Sequence, residues 1–433
     1  MSKRSVAYCT SILLIVTALS APLAAENWPQ WRGPSFNGTT TETNLPAKWS
    51  KTENVLWKVD LPGIGGATPI VWDDRVFIIA QETKAKKTWA LCLNRKDGAV
   101  LWKHHIAGAY SNSQGNSAAS GSPITDGKTV WFFAGTGELV AYDMDGKQLW
   151  KRSITDDHGK FEILWKYGAS PMLYKGRLYL AVLHGEFKKK SDAKCYVLCI
   201  DAKTGKDIWK HIRYTEAKAE SKQAYTTPYP FEGPNGLRII IVGGDRTTAH
   251  DPKDGKETWR SINYNPKDGK WLRIVPSAVA CKGVIFTGAP KGGFMFGIKS
   301  GKSGKLTASD NAWLDKNDSP DVCTPAVHNG RFYILDGRRK KLVCKDALTG
   351  KNIWRGSLDT KKVLQASPTI ADGKIYCISL GGEVVVLELG DEFKVIHRTN
   401  MGGKDSKSTI SAAQGNLFVR VDDKLYCIGK KGS

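Results

Sequence analysis

The segment ITDDHGKFEILWKYGAS, which begins at Ile154, gathers Asp156, Asp157, His158, Lys160, Glu162 and Trp165 within ten residues. Carboxylates beside an imidazole can move protons, and an indole nearby gives an apolar platform for a ligand. The chemistry on offer is acid/base work or binding. Polar loops of this composition are commonly solvated. Asp156, Asp157, His158, Lys160 and Trp165 are therefore taken as a candidate ligand-face loop, and no residue is assigned a catalytic role. Metal chemistry has less to stand on. The eight histidines are scattered, and His104 and His105 point to opposite sides of an extended segment. The stretch DPKDGKET from Asp251 comes nearest to a cation loop, but it coincides with a recurring turn, so no metal ligand is assigned.

That turn organises the chain. CLNRKDGAVLW ends at Trp102, CIDAKTGKDIW at Trp209, AHDPKDGKETW at Trp259, CKDALTGKNIW at Trp354, and a version one residue shorter ends at Trp150. Before each comes a small residue with Ser/Thr-Pro, a short strand, a polar turn and another strand, as in GASPMLYKGRLYLAV from Gly168. The unit is four short strands rich in β-branched and aromatic residues, punctuated by Asp-Gly, Asn-Gly and Thr-Gly turns. Successive Trps lie 45 to 59 residues apart, and the 95 residues between Trp259 and Trp354 leave room for another unit. That unit, from Pro276, reads as having lost its Trp. A seventh, from Ala366, ends without one, and an eighth stops three strands in. The strand around Trp57, NVLWKVDL, is the expected fourth strand of that last unit.

The expected fold is all-β: an eight-bladed β-propeller of four-stranded antiparallel blades, with the N-terminal strand joining the last blade so that no long sheet edge stays exposed. Trp57, Trp102, Trp150, Trp209, Trp259 and Trp354 are read as anchors that dock each outermost strand on the glycine turn of the next blade. Cys92, Cys199, Cys344 and Cys427 occupy the position held elsewhere by Ala141 and Ala249, and so read as small buried residues and not as disulfide partners.

Residues 1–25 have the layout of a secretory signal peptide, with Lys3 and Arg4 before an apolar run and small residues at Ala24 and Ala25. Residues 26–52 form a separate WPQWRGP segment and 53–433 the propeller. No other stretch is long and apolar enough for a membrane helix. Cys9 precedes most of the apolar run, which disfavours a lipid-modified mature N-terminus. A soluble periplasmic or secreted monomer is expected. The net charge of +22 suits an acidic partner, and export disfavours nucleic acid. Lys128, Lys147, Arg177, Lys206, Lys256, Arg331, Lys351 and Lys374 follow hairpin-turn glycines and would make one face basic, suited to an anionic polysaccharide.

The eleven-residue run of small residue, Asp, Thr/Asp-Gly-Lys and Trp resembles the tryptophan-docking motif of the pyrroloquinoline quinone (PQQ) repeat propellers, and WPQWRGPSFNGTT from Trp28 is similar to the opening of a broad set of secreted bacterial PQQ-like proteins. The resemblance covers nearly the whole chain from Trp57 onward. It implies an eight-bladed ring and two functional branches. One holds quinoprotein dehydrogenases, with PQQ and Ca²⁺ at the ring centre, an Asp base and an adjacent Cys-Cys pair. The other holds the non-catalytic lipoprotein of the outer-membrane β-barrel assembly machinery, BamB, which binds protein partners. No adjacent Cys pair occurs in this sequence. The expectation is an exported binding or scaffold module for a protein or cell-envelope partner, with no cofactor. The alternatives are a PQQ- and calcium-dependent oxidoreductase and a carbohydrate-binding or carbohydrate-acting propeller.

Overall fold

Short strands, the inner ones buried along nearly their whole length and all broken by glycine turns, form eight separate small sheets in the computed structural model, which describes residues 25–111, 115–185, 194–289, 291 and 293–430. Seven blades follow in chain order over residues 70–108, 124–153, 172–212, 229–260, 279–315, 326–357 and 369–400. Each is a four-stranded antiparallel sheet at its core. The eighth sheet combines Ser411–Ala413, Asn416–Val421 and Lys424–Ile428 with Val55–Asp60, which runs antiparallel to Lys424–Ile428 and sets Trp57 opposite Cys427. Helix is confined to Ile154–His158 and short 3-10 turns among the described residues.

Four of the six turn Trps reach the following blade through an indole hydrogen bond and a turn glycine together. Trp57 donates its indole N–H to the Arg95 carbonyl at 2.7 Å, Trp102 to Met144 at 3.1 Å, Trp150 to Ala202 at 3.1 Å and Trp209 to Pro252 at 2.9 Å, each a turn in the following blade. Gly255 shows why the turn ends in glycine: its φ is +75°, and a Cβ there would sit 2.5 Å from the Trp209 ring. Gly98, Gly146 and Gly205 meet Trp57, Trp102 and Trp150 in the same way. Across each blade the Trp faces a small residue, Cys92 for Trp102, Ala141 for Trp150, Cys199 for Trp209, Ala249 for Trp259 and Cys344 for Trp354. Those cysteines are free and buried, and burial pushes the Cys92 and Cys427 thiols up to about 12.

Blade five corrects the sequence reading. It has not lost its anchor: Trp313 donates to the Ala347 carbonyl at 2.9 Å and packs on Gly350 of blade six. Its cross-strand partner is Gly297, sixteen positions earlier, where other blades need nine to eleven. The added residues form a loop whose Gly304–Lys305 pairs in parallel with Trp259 and Arg260 of blade four. Blade seven does lack a Trp. His397 takes the position, and Trp49 from the N-terminal segment packs against it with ring centroids 5.9 Å apart.

A second repeated contact runs the other way. The basic residue after the Trp reaches back to the preceding blade: Lys151 to the Ile106 carbonyl at 2.7 Å, Lys210 to His158 Nδ1 at 3.3 Å and Arg355 to Asp318 at 2.8 Å. Two of the turn cations are also engaged. Arg177 donates to the Pro252 carbonyl and Arg331 to that of Gly390, the same carbonyls that take the Trp209 and Trp354 indoles. Part of the positive charge therefore joins blades.

Candidate functional site: the axial cavity

The Ser/Thr-Pro motif builds the channel wall. The Thr68 N–H donates to the Ser122 hydroxyl, Ser122 to Ser170, Ser170 to Thr227, Thr227 to Ser277, Ser277 to Thr324 and Thr324 to Ser367, at 2.9–3.1 Å. Seven blades are thus linked in sequence by one backbone-to-hydroxyl bond each. A Ser or Thr here satisfies a buried N–H that the neighbouring blade cannot reach through its own strands.

The N-terminal segment lies across this channel. Trp28 pairs with Val71 of blade one, the Pro29 carbonyl accepts from Thr125 of blade two, and Asn37 and Gly38 accept from Val327 of blade six and Ile370 of blade seven. Arg32 is buried and donates to the Pro325 carbonyl at 2.9 Å and the Pro368 carbonyl at 3.0 Å. Desolvation lowers its pKa to about 9, still high enough to keep the charge at neutral pH. The WPQWRGP segment is thereby part of the ring, and Trp31 becomes a surface of the axial space.

That space is a cavity of about 430 Å³, reached by residues from all eight blades. Trp31, Trp165 and Tyr225 give it aromatic surface, and Asn116, Gln365 and Ser120 give it amide and hydroxyl groups. Its charges are compensated. Lys407 lies 2.8 Å from Asp405, and Arg273 pairs with Asp321 at 3.3 Å. Trp165 is 42% exposed, yet its ring is fixed: the indole N–H donates to the buried Glu220 carboxylate at 2.8 Å, and its carbonyl accepts from Asn116 at 2.8 Å.

The candidate loop from Ile154 is divided between two places. Trp165 reaches the axial cavity, whereas Asp157 and His158 turn to the outermost strands. Arg152 bridges Asp157 at 2.7 Å and Asp207 at 2.5 Å, and His158 Nε2 lies 2.9 Å from Asp207. Burial, with the Lys210 ammonium beside it, holds the His158 pKa below the usual imidazole value. Asp156 and Lys160 are exposed; the Asp156 backbone N–H is capped by Ser153. Asp157, His158 and Trp165 thus form no single site. Trp31, Arg273 and Lys407 were missed because they are far apart in sequence and follow no repeat. The earlier units of the Ser/Thr-Pro motif were the available signal for the channel wall.

Ring and cavity together define an eight-bladed PQQ-like β-propeller with its own N-terminal segment across the channel. The chain belongs to the family described as outer membrane protein assembly factor BamB, whose profile matches residues 38–212 and 244–427. It is 29% identical over 307 residues to a polyvinylalcohol dehydrogenase of Pseudomonas sp, covering 61% of this chain and 44% of the relative. Against the polyvinylalcohol dehydrogenase of Sphingopyxis sp. (strain 113P3) it is 26% identical over 280 residues, 57% of this chain and 39% of that one. The chain therefore spans less than half the length of these curated relatives. Among solved structures, BamB from Moraxella catarrhalis superposes with a TM-score of 0.60 at 13% identity, covering 86% of this chain and 97% of BamB. A europium-containing methanol dehydrogenase gives 0.66 at 12% identity, over 92% and 90%. These likenesses establish the fold.

Proposed function

We propose that the protein is an exported, non-catalytic binding module, a scaffold for a protein or cell-envelope component, with the axial cavity as its site. The observation that carries this reading is the lining itself. It pairs aromatic surface with amides and hydroxyls, and its ionised groups are spent on one another, Lys407 on Asp405 and Arg273 on Asp321. A nucleophile with an adjacent base is not among the residues that line it. The family's scaffold branch supports this reading.

A quinone oxidoreductase is the second reading, favoured by the polyvinylalcohol dehydrogenase relatives. The donor set speaks against it. Calcium takes six to eight oxygen ligands, yet among the described residues Asp405 is the single carboxylate lining the cavity, and a lysine already neutralises it. No group of three or more His, Cys, Asp or Glu side chains is placed to hold a metal among the described residues. The residues present do not fit a calcium–quinone centre.

Titration of the mature protein with PQQ and Ca²⁺ by calorimetry, followed by a dye-linked alcohol oxidation assay, tests the choice. The expected result is no stoichiometric binding and no turnover. Turnover with bound quinone would overturn the binding-module reading. N-terminal sequencing of protein recovered from the periplasm or medium tests export, with processing expected near Ala25.

A further inference from the structure

The axial cavity does not end at the channel wall. A second space of about 350 Å³ shares Gly66, Gly115, Asn116, Ser120, Asp405 and Lys407 with it and continues past Gln81 of blade one and Asp422 of blade eight. Gly66 lines both. A Cβ there would meet Lys407 at 3.5 Å and Ser120 at 3.7 Å, ordinary contacts, so the site tolerates a side chain but a glycine leaves the passage open. The two spaces share this wall and together form a trench that runs from the axis toward blades eight and one.

We infer that this trench binds a linear oligosaccharide, one end against Trp31 and Trp165 and the following sugar units passing over Gly66. The inference rests on the binding-module reading and gives its site a ligand class. Three features carry it. The shape is that of a chain and not of a compact ligand. The axial wall carries groups that both donate and accept, Asn116, Ser120 and Gln365, which match vicinal hydroxyls, whereas Gln81 is buried with its amide spent on Thr83, Tyr110 and Ala118. The indole of Trp165, held in place by Glu220 and Asn116 before any ligand arrives, offers a flat apolar face for the C–H face of a pyranose at little ordering cost. A peptide would instead seek free backbone edges. The inner strands of blades one, six and seven already give backbone bonds to the N-terminal segment.

The experiment is calorimetry with a panel of hexasaccharides (cellohexaose, maltohexaose, xylohexaose, chitohexaose, hexagalacturonate), their disaccharides, and a short polyvinyl alcohol. At least one hexasaccharide is expected to bind about tenfold more tightly than its own disaccharide. Trp165→Ala should weaken both lengths, whereas Gly66→Phe should cost the hexasaccharide about tenfold and the disaccharide clearly less. Silence across the sugar panel, binding unaffected by both substitutions, or binding of polyvinyl alcohol alone would overturn the inference. Failure here leaves the PQQ titration unaffected, and turnover with PQQ would sink the parent reading whatever the sugars do.

Discussion

The outer seams and the axial cavity are made by the same eight units in opposite ways. At the seams most blades repeat one pattern: an indole forward onto the next turn, a small residue behind it, and in several blades a cation back to the previous strand. At the axis, where the Ser/Thr ring ends, each blade contributes something different: Gly66, Asn116, Trp165, Tyr225, Arg273, Gln365 and Lys407 from successive approaches. Repetition holds the ring together, and departure from repetition builds the site. Stability and binding are therefore expected to respond to different substitutions.

The sharpest way to break this contrast is at an anchor. Trp209→Ala should cost about 3–5 kcal/mol in denaturant unfolding, through the cavity left against Gly255 and the lost indole bond to the Pro252 carbonyl. Trp313→Ala should cost as much although its spacing is irregular, because its burial and its bond to Ala347 are those of the other anchors. A neutral Trp313→Ala would place blade five outside the seam scheme.

Arg32→Met should follow at about 2–3 kcal/mol, since it leaves the Pro325 and Pro368 carbonyls unbonded across the channel. A melting temperature unchanged from the parent protein would mean that the N-terminal segment rests on the ring without tightening it.

Asp245, in the turn between the second and third strands of blade four, gives a pH signature. Desolvation raises its carboxyl pKa to about 6, against the hydrogen bond from Asn265. The folded state then holds the proton more tightly than the unfolded chain, so its contribution to stability is full below about pH 4 and is lost as pH rises through 6. Asp245→Asn should remove that slope and leave the protein about 1–2 kcal/mol more stable than the parent at pH 8. Parallel stability–pH curves for the two proteins would contradict it.

The smallest stability effect belongs to the cavity. Trp165→Ala, at a ring 42% exposed, should change unfolding by about 1 kcal/mol or less. A loss comparable to Trp209→Ala would erase the distinction between seam and site.

How much of this the sequence carried depends on whether a feature repeats. Trp102, Trp150, Trp209 and Trp354 were legible because each stands beside its own turn at a fixed interval, and local spacing survives without a fold. Trp313 was hidden by the inserted loop around Gly304, which changed the interval and not the contact. The Ser/Thr-Pro motif was visible as a pattern, but its bonds run between residues 43 to 57 positions apart, so its role was not. The loop from Ile154 looked like one site because its residues are adjacent in the chain. A strand-to-strand connection that crosses from rim to axis then carried His158 and Trp165 to different surroundings.

By itself, then, the sequence determined the blade, the number of blades and the residues that join them, because a repeated unit that cannot bury both faces alone has to present the same anchor each time. Only the tertiary structure decided which residues meet at the centre. Closing eight units round an axis brings together side chains that no local pattern relates, and it gave Trp31, from a segment outside the repeats, a place in the cavity they share.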